Sequence, residues 1–356
     1  MEQKTAQNGD IIKGQYIVAY RPGAVASSAS TSIQSRSAAS AQVLAAHEIR
    51  ASAMQESFGG ETSGFVAKLT SDEAEELRSD PAVAVVEPDR IVALSTCFTI
   101  VNPTLVTWNV NKVGYGNGIG KTAWIIDSGI DFDHPDLNVD VARSKSFLSG
   151  NTSADDENGH GTHVAGIIGA KNNSFGVLGV ASGATLVSLR VLDKDGTGTL
   201  SAIIQALAYV NTNAKAGDVV NLSLGEDQVS EVLDQQVQAT AAKGIYITIA
   251  AGNDSKAADL YSPGRANGTN IYTVSAVDSL DNFASFSNFG NDAVDYAEPG
   301  VRILSTYKDG LYARMSGTSM AAPHLAGLLL INGGVVHSSL TAKNDPDGTP
   351  DKIGQK

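Results

Sequence analysis

Ala123-Trp124-Ile125-Ile126 runs straight into Asp127-Ser128-Gly129-Ile130-Asp131, and this junction decides the fold. The four apolar residues do not alternate with polar ones, so the strand they form is buried on both faces. Such strands belong to a parallel sheet covered by helices. The texture recurs in Ala184-Thr185-Leu186-Val187-Ser188-Leu189, Val219-Val220-Asn221-Leu222-Ser223-Leu224, Ile245-Tyr246-Ile247-Thr248-Ile249 and Ile271-Tyr272-Thr273-Val274. Open parallel sheets bind ligands at the carboxyl ends of their strands. The residues at the ends of these runs therefore matter: Asp127-Ser128-Gly129, Ser223-Leu224-Gly225, and Ala250-Ala251-Gly252-Asn253.

Two more glycine-rich stretches stand out, Asn158-Gly159-His160-Gly161-Thr162-His163-Val164-Ala165-Gly166 and Gly317-Thr318-Ser319-Met320-Ala321-Ala322-Pro323-His324. Asp127, His160 and Ser319 are the residue types that nucleophilic acyl transfer needs. A serine loses its proton to a histidine, which a carboxylate holds in one tautomer and stabilises when charged. Ser319 opens a helical pattern that continues through Leu330, which puts its amide at a helix N-terminus with positive partial charge. Pro323 is tolerated there because the first turn has spare donors.

Other chemistries fit these residues less well. Asp131, Asp133 and Asp136 suggest glycosidase carboxylates or a metal cluster, but Asp131-Phe132-Asp133-His134-Pro135-Asp136-Leu137 is turn-like. His160 and His163 stand at i and i+3, yet no second ligand set such as HExxH exists, which argues against zinc. His163 and His324 read as buried structural histidines. Cys97 has no partner histidine nearby, so a catalytic thiol is not expected.

Before this region the texture differs. Residues 1–14 are polar and read as a flexible tail. Gln15–Tyr20, a strand before Phe58, Gly64–Leu69 and Ala82–Glu87 read as strands. Helices are expected from about Ala24 to Ile49 and from Ser71 to Ser79, the second opened by a Thr70/Glu73 capping box. Strand, helix, strand, strand, helix, strand is the split βαβ, ferredoxin-like order. His47 is expected to be a solvated helix residue.

The chain has 356 residues, of which 42% are hydrophobic and 18% charged, so whole-chain disorder is excluded. At about 150 residues per domain, two domains are expected. The formal charge of −13 disfavours nucleic acid and anionic membrane as partners. A single cysteine excludes an intramolecular disulfide and a multi-cysteine zinc site. No apolar run approaches the roughly 18 residues that cross a bilayer. Met1-Glu2-Gln3-Lys4-Thr5 lacks the apolar stretch of a signal peptide, so either the protein is cytosolic or a signal lies outside this sequence.

The motifs DSGID, HGTHVAG, AAGN and GTSMAAPH, in this order, resemble the subtilisin-like serine protease family from about Trp108 to Ile331. QYIVAYRPG, GFVAKLTSDEAEEL and VAVVEPDRIVAL resemble that family's inhibitory propeptide. The resemblance implies an α/β catalytic domain with a mainly parallel sheet flanked by helices, preceded by a small α+β ferredoxin-like propeptide domain. The expected organisation is a tail at 1–14, propeptide at 15–95, processing linker at 96–106 and catalytic domain at 107–356.

The resemblance also implies roles. Ser319 is the nucleophile, His160 the general base and acid, and Asp127 orients His160. The Asn253 side chain and the Ser319 N–H form the oxyanion hole. Substrate lies extended between Gly196-Thr197-Gly198 and Ser223-Leu224-Gly225. Ala250, Ala251 and Gly252 wall the first specificity pocket, and small residues with no acid there predict a broad or apolar preference. Structural Ca²⁺ is expected at Asp136, Asn173 and the carbonyls of Lys171, Phe175 and Val177. The resemblance further implies a secreted, monomeric, self-processing zymogen. Its partners are polypeptide substrates and its own propeptide, which acts as chaperone and inhibitor. Self-cleavage is expected within 95–105, a junction without Lys or Arg. The alternatives from other classes are a catalytically silent binding protein and an esterase.

Overall fold

In a computed structural model of the chain, the described residues are 8–24, 33–59, 62–93, 97–100 and 106–356. The N-terminal unit comprises β1 (Ile11–Tyr20), α1 (Ile33–Ala46), β2 (Met54–Phe58), β3 (Gly64–Lys68), α2 (Ser71–Arg78) and β4 (Val83–Ala93). This is the expected split βαβ order. Its four strands form an antiparallel sheet in the order β4-β1-β3-β2. Two of its boundaries differ from the sequence reading. β1 begins at Ile11, which stands opposite Arg90, so the last part of the expected tail is strand. α1 is shorter than the span expected for it, and residues 25–32 lie outside the described residues. α2 opens with the expected capping box: Thr70 Oγ1 accepts from Glu73 N at 3.2 Å, and Thr70 N donates to Glu73 Oε2 at 2.7 Å. His47 is half-buried and lies outside the helix expected for it: it follows α1, and its Nε2 is 2.7 Å from Asp80 Oδ2.

The rest of the chain runs β5 (Cys97–Ile100), α3 (Trp108–Val113), β6 (Gly116–Asn117), β7 (Thr122–Asp127), β8 (Lys145–Ser146), α4 (His160–Gly169), β9 (Ala181–Ser182), β10 (Thr185–Arg190), β11 (Thr197–Thr199), α5 (Leu200–Asn213), β12 (Val219–Leu222) and α6 (Glu231–Ala241). It continues through β13 (Tyr246–Ala250), β14 (Ile271–Val277), β15 (Val294–Pro299), β16 (Ile303–Tyr307), β17 (Leu311–Ser316), α7 (Thr318–Asn332), β18 (His337–Thr341) and β19 (Lys352–Gln355). The main sheet has the order β18-β19-β15-β14-β13-β12-β7-β10-β8, and every pair except β18/β19 is parallel.

β7 explains why its sequence does not alternate. Trp124 and Ile126 pack into the core that also holds Leu207 of α5 and Val237 of α6. Ala123 and Ile125 point the other way, into the core with Ile167 of α4 and Met320 of α7. Both faces are apolar because helices cover both. The C-terminus is tied to the sheet: Ile353 of β19 is buried opposite Ala297.

The two units share a sheet. β4 continues onto β11, with Ile91, Val92 and Ala93 opposite Thr199, Gly198 and Thr197. β5 lies antiparallel to β17, with Cys97 opposite Ser316.

Candidate active site

Asp127 is the last residue of β7, and His160 is the first of α4. The pairing of β7 with β10 and β12 sets the height of Asp127 at the carboxyl edge of the sheet. Gly161 allows α4 to start against that edge: a Cβ there would stand 2.1 Å from the Gly129 carbonyl and 3.1 Å from Asp127 Cβ. With the helix start this close, His160 Nδ1 reaches Asp127 Oδ1 at 2.8 Å. Oδ1 also accepts from Ser128 N at 2.7 Å. An acceptor at Nδ1 places the imidazole proton there and leaves Nε2 as a base. Nε2 is buried and has no hydrogen-bond partner among the described residues.

Ser319 is the second residue of α7, so its N–H belongs to the first turn, which has no intrahelical acceptor. Its Oγ donates to the Ser223 carbonyl at 3.0 Å, and Ser223 Oγ donates back to the Ser319 carbonyl at 2.8 Å. The hydroxyl is thus parked on β12's exit loop, and the serine–histidine leg is not made in this structure. Rotation about χ1 frees it. Asn253 Oδ1 accepts from Thr318 N at 2.8 Å and Thr318 Oγ1 at 3.1 Å. With Oδ1 fixed, the opposite end of the amide, Nδ2, is the donor it offers.

Asn253 and Ser319 line one cavity of about 260 Å³, together with Ser223, Leu224, Gly225, Ala250, Ala251 and Gly252. The structure therefore gathers these sequence-chosen residues. Thr197 and Gly198 belong to the separate edge on which β4 lies, and Gly196 sits in the turn before it, its N–H donating to the Asp193 carbonyl at 3.0 Å. Glu226, Asp227 and Asp254 also line the cavity, with Lys256 and Tyr261.

Sequence reasoning also passed over Asp156. Its buried carboxylate accepts from Asn158 N, Gly159 N and Thr162 N, each at 2.9 Å, and from Ser128 Oγ at 3.0 Å. It joins the Asp127 loop to the start of α4. Burial pushes its carboxyl upward despite these donors. An aspartate just ahead of a helix start is a capping signal that was available in the sequence.

His163 and His324 are structural, as expected. His163 Nε2 contacts the carbonyls of Ile303 and Ala313, both at 3.0 Å, and burial brings its pKa down to about 3. His324 donates from Nδ1 to the Met320 carbonyl at 2.8 Å and accepts from Asn109 Nδ2 at Nε2, also 2.8 Å; burial lowers it to about 4. Asp131 caps its own turn, accepting from Asp133 N at 3.1 Å and Gly310 N at 2.9 Å.

Around Asp136 the loop after α4 folds back. Asn173 Nδ2 donates to Oδ1 at 2.7 Å, and Val177 N and Tyr312 Oη donate to Oδ2 at 2.9 and 3.3 Å. Gly176, at φ 73°, makes the closure possible: a Cβ would be 2.2 Å from Asp136 Oδ2. All three donors are neutral, and burial raises the carboxyl of Asp136. A buried carboxylate wrapped by an amide and a loop, with neutral donors only, fits a hard divalent cation once the Asn173 amide turns over to present its oxygen. Among the described residues no group of three or more His, Cys, Asp and Glu side chains is placed to hold a metal. Such an ion would therefore rely on backbone carbonyls.

Known proteins share this arrangement of sequence. Residues 120–332 match the Subtilase family, and residues 15–95 match Peptidase inhibitor I9. The chain belongs to the subtilase family. Alkaline serine exoprotease A of Vibrio alginolyticus is 36% identical over 76% of this chain and 52% of its own length. Subtilisin E of Bacillus subtilis (strain 168) is 41% identical over 73% of this chain and 68% of its own length. Subtilisin Savinase of Lederbergia lenta is 42% identical over 62% of this chain and 82% of its own. The chain thus spans about half the length of the Vibrio relative and more of the other two. The crystal structure of a cold adapted subtilisin-like serine proteinase superposes with a TM-score of 0.61 at 34% identity, covering 70% of this chain and 98% of that one. Among the described residues no helix is long and apolar enough to cross a membrane.

Proposed function

We propose that this chain is the zymogen of a secreted serine endopeptidase that processes itself. The observation that carries the reading is the 2.8 Å Asp127–His160 contact at the sheet edge, beside a helix-initial serine and an anchored Asn253. In this reading His160 Nε2 takes the Ser319 Oγ proton as Oγ attacks a peptide carbonyl. Asp127 holds the imidazole and stabilises it when charged. The developing oxyanion is met by Asn253 Nδ2 and the Ser319 N–H, both fixed before the reaction. His160 then gives its proton to the leaving amine, and water repeats the cycle on the acyl-enzyme.

The zymogen part rests on strand pairing. β4 occupies the edge Thr197–Thr199, where a substrate strand would add, so residues 15–95 act as an intramolecular inhibitor and chaperone. Beyond residues 94–96, which lie outside the described residues, β5 runs beside β17, the strand that leads into α7 and Ser319. Ala93 is thus paired with Thr197 and Cys97 with Ser316, close before the serine's helix, which supports a cut near the start of the 95–105 window. The catalytic domain would be 107–356, released as a monomer. A structural calcium ion would be held by Asp136, Asn173 and the carbonyls of Lys171, Phe175 and Val177. Bound there, it supplies charge compensation and a loop staple, not a chemical step.

Labelling with a serine-reactive fluorophosphonate, followed by a casein assay, tests the reading. Label on Ser319 with casein cleavage is expected, together with a mass loss matching the N-terminal unit. No label would mean a silent binding protein, and label without peptide cleavage an esterase.

A further inference from the structure

Glu226 comes directly after Ser223–Gly225 and shares the cavity with Ser319. Its side chain is fully shielded from water, and neither carboxylate oxygen has a hydrogen-bond partner among the described residues. The fold does not use the carboxylate to hold this loop; the Glu226 N–H does that, donating to the Ser262 carbonyl at 3.0 Å. A carboxylate shut away without donors is unfavourable. Its use therefore lies in another state of the molecule.

The cation facing it is Arg90, with Nε 4.0 Å from Glu226 Oε2. Arg90 sits on β4, the strand laid along the groove. Ala93, Val92 and Ile91 oppose Thr197, Gly198 and Thr199, and Arg90 is the next residue toward the N-terminus. Its Nη1 donates to the Gly9 carbonyl at 3.0 Å, which fixes the guanidinium over the enzyme part. The other charged groups near Glu226 are acidic: Glu87 and Asp89 on β4 and Asp227 on its own loop. The enzyme side thus contributes Glu226 and Asp227, and Arg90 is the one cation that β4 brings to them, beside its own Glu87 and Asp89.

We propose that Glu226 is a charge-selecting residue of the substrate groove, favouring polypeptides with Arg or Lys where Arg90 now stands, three residues N-terminal to the residue opposite Thr197. The proposal rests on the endopeptidase reading above. A substrate strand that replaces β4 in the same direction carries its corresponding side chain to this carboxylate. While covered by β4, burial holds the Glu226 carboxyl up at about 8, with Arg90 pulling it back. Once β4 leaves, water returns and the group is ionised at neutral pH. No acidic counterpart is needed from the substrate's other residues, since backbone pairing on β11 supplies the register.

The test uses full-length chain allowed to mature, and quenched-fluorescence peptides with Arg, Ala or Glu placed singly at each position upstream of the cleaved bond. Cleavage of the parent peptide, read first, bears on the endopeptidase reading alone. The ratios bear on Glu226, so the two readings fail separately. One upstream position is expected to give about fivefold higher kcat/KM with Arg than with Ala, and lower with Glu. The preference should shrink with added salt. Glu226→Gln should abolish it, and Glu226→Arg should invert it in favour of Glu. A wild-type enzyme indifferent to upstream charge, or a preference that persists in Glu226→Gln, overturns the proposal.

Discussion

Asp127 Oδ1 lies 2.8 Å from His160 Nδ1, with the imidazole 1% exposed and the carboxylate side chain fully buried. This contact fixes which ring nitrogen carries the proton, and hence that Nε2 is left as the base. Asp127→Asn presents an amide that can stabilise the opposite tautomer. The variant should fold and label poorly with fluorophosphonate. Its kcat should fall by about 10⁴-fold, a magnitude taken from serine-protease triads, including those of this family. Stopped assays on casein against the parent chain check it.

Asn253 has two jobs at opposite ends of one amide. Oδ1 holds Thr318 N at the start of α7, and in the proposed mechanism Nδ2 is the oxyanion donor. Asn253→Asp keeps an acceptor for Thr318 but offers no donor. It should therefore keep its thermal midpoint near the parent value while kcat falls about 10²- to 10³-fold with KM little changed. A change confined to KM would speak against the donor role.

Inhibition by the N-terminal unit should weaken as pH rises. Glu87, on β4, is buried against α6, where its Oε1 accepts from Ser230 Oγ; Asp234 and Glu231 face it, and burial raises its carboxyl from 4.5 to about 7. Glu226, faced by Arg90, Glu87, Asp89 and Asp227, is raised to about 8. A carboxyl whose pKa is higher in the complex holds an extra proton there, so affinity is greatest at low pH. The loss begins above 4.5, the ordinary value, and is complete near 8. Active enzyme released from freshly processed chain should therefore appear sooner at pH 8 than at pH 5. Glu87→Gln, neutral throughout, should flatten that dependence.

Calcium binding at Asp136 should show as a rise in Tm when calcium is added to metal-free protein, and a fall with chelator. Asp136→Asn should remove the response while also lowering the metal-free Tm, because Val177 N and Asn173 Nδ2 lose a charged acceptor. A Tm indifferent to calcium and chelator would mean that the three neutral donors alone satisfy this carboxylate.

Much of this protein was legible in its residues. The unbroken apolar run Ala123–Ile126 implied a strand covered twice, and the structure sends its side chains alternately into the two cores. The Thr70/Glu73 box formed as expected because both partners lie within one turn. Asp127, His160 and Ser319 were selected by residue type and glycine context, which are local properties, whereas Asn253 followed from the family resemblance. The hidden features depend on surfaces brought together from distant parts of the chain. His47 meets Asp80 only because the end of α1 and the turn after α2 pack side by side. The parking of Ser319 on the Ser223 carbonyl depends on where the loop after β12 ends relative to α7. Arg90 faces Glu226 only because β4 lies on β11, a pairing across two units that no local pattern encodes. Sequence by itself determined periodicity, caps and the chemical types at the strand ends, because these are set by neighbours along the chain. Tertiary structure alone decided which carboxylates lose water and which donors meet them, because desolvation is a property of the assembled surface.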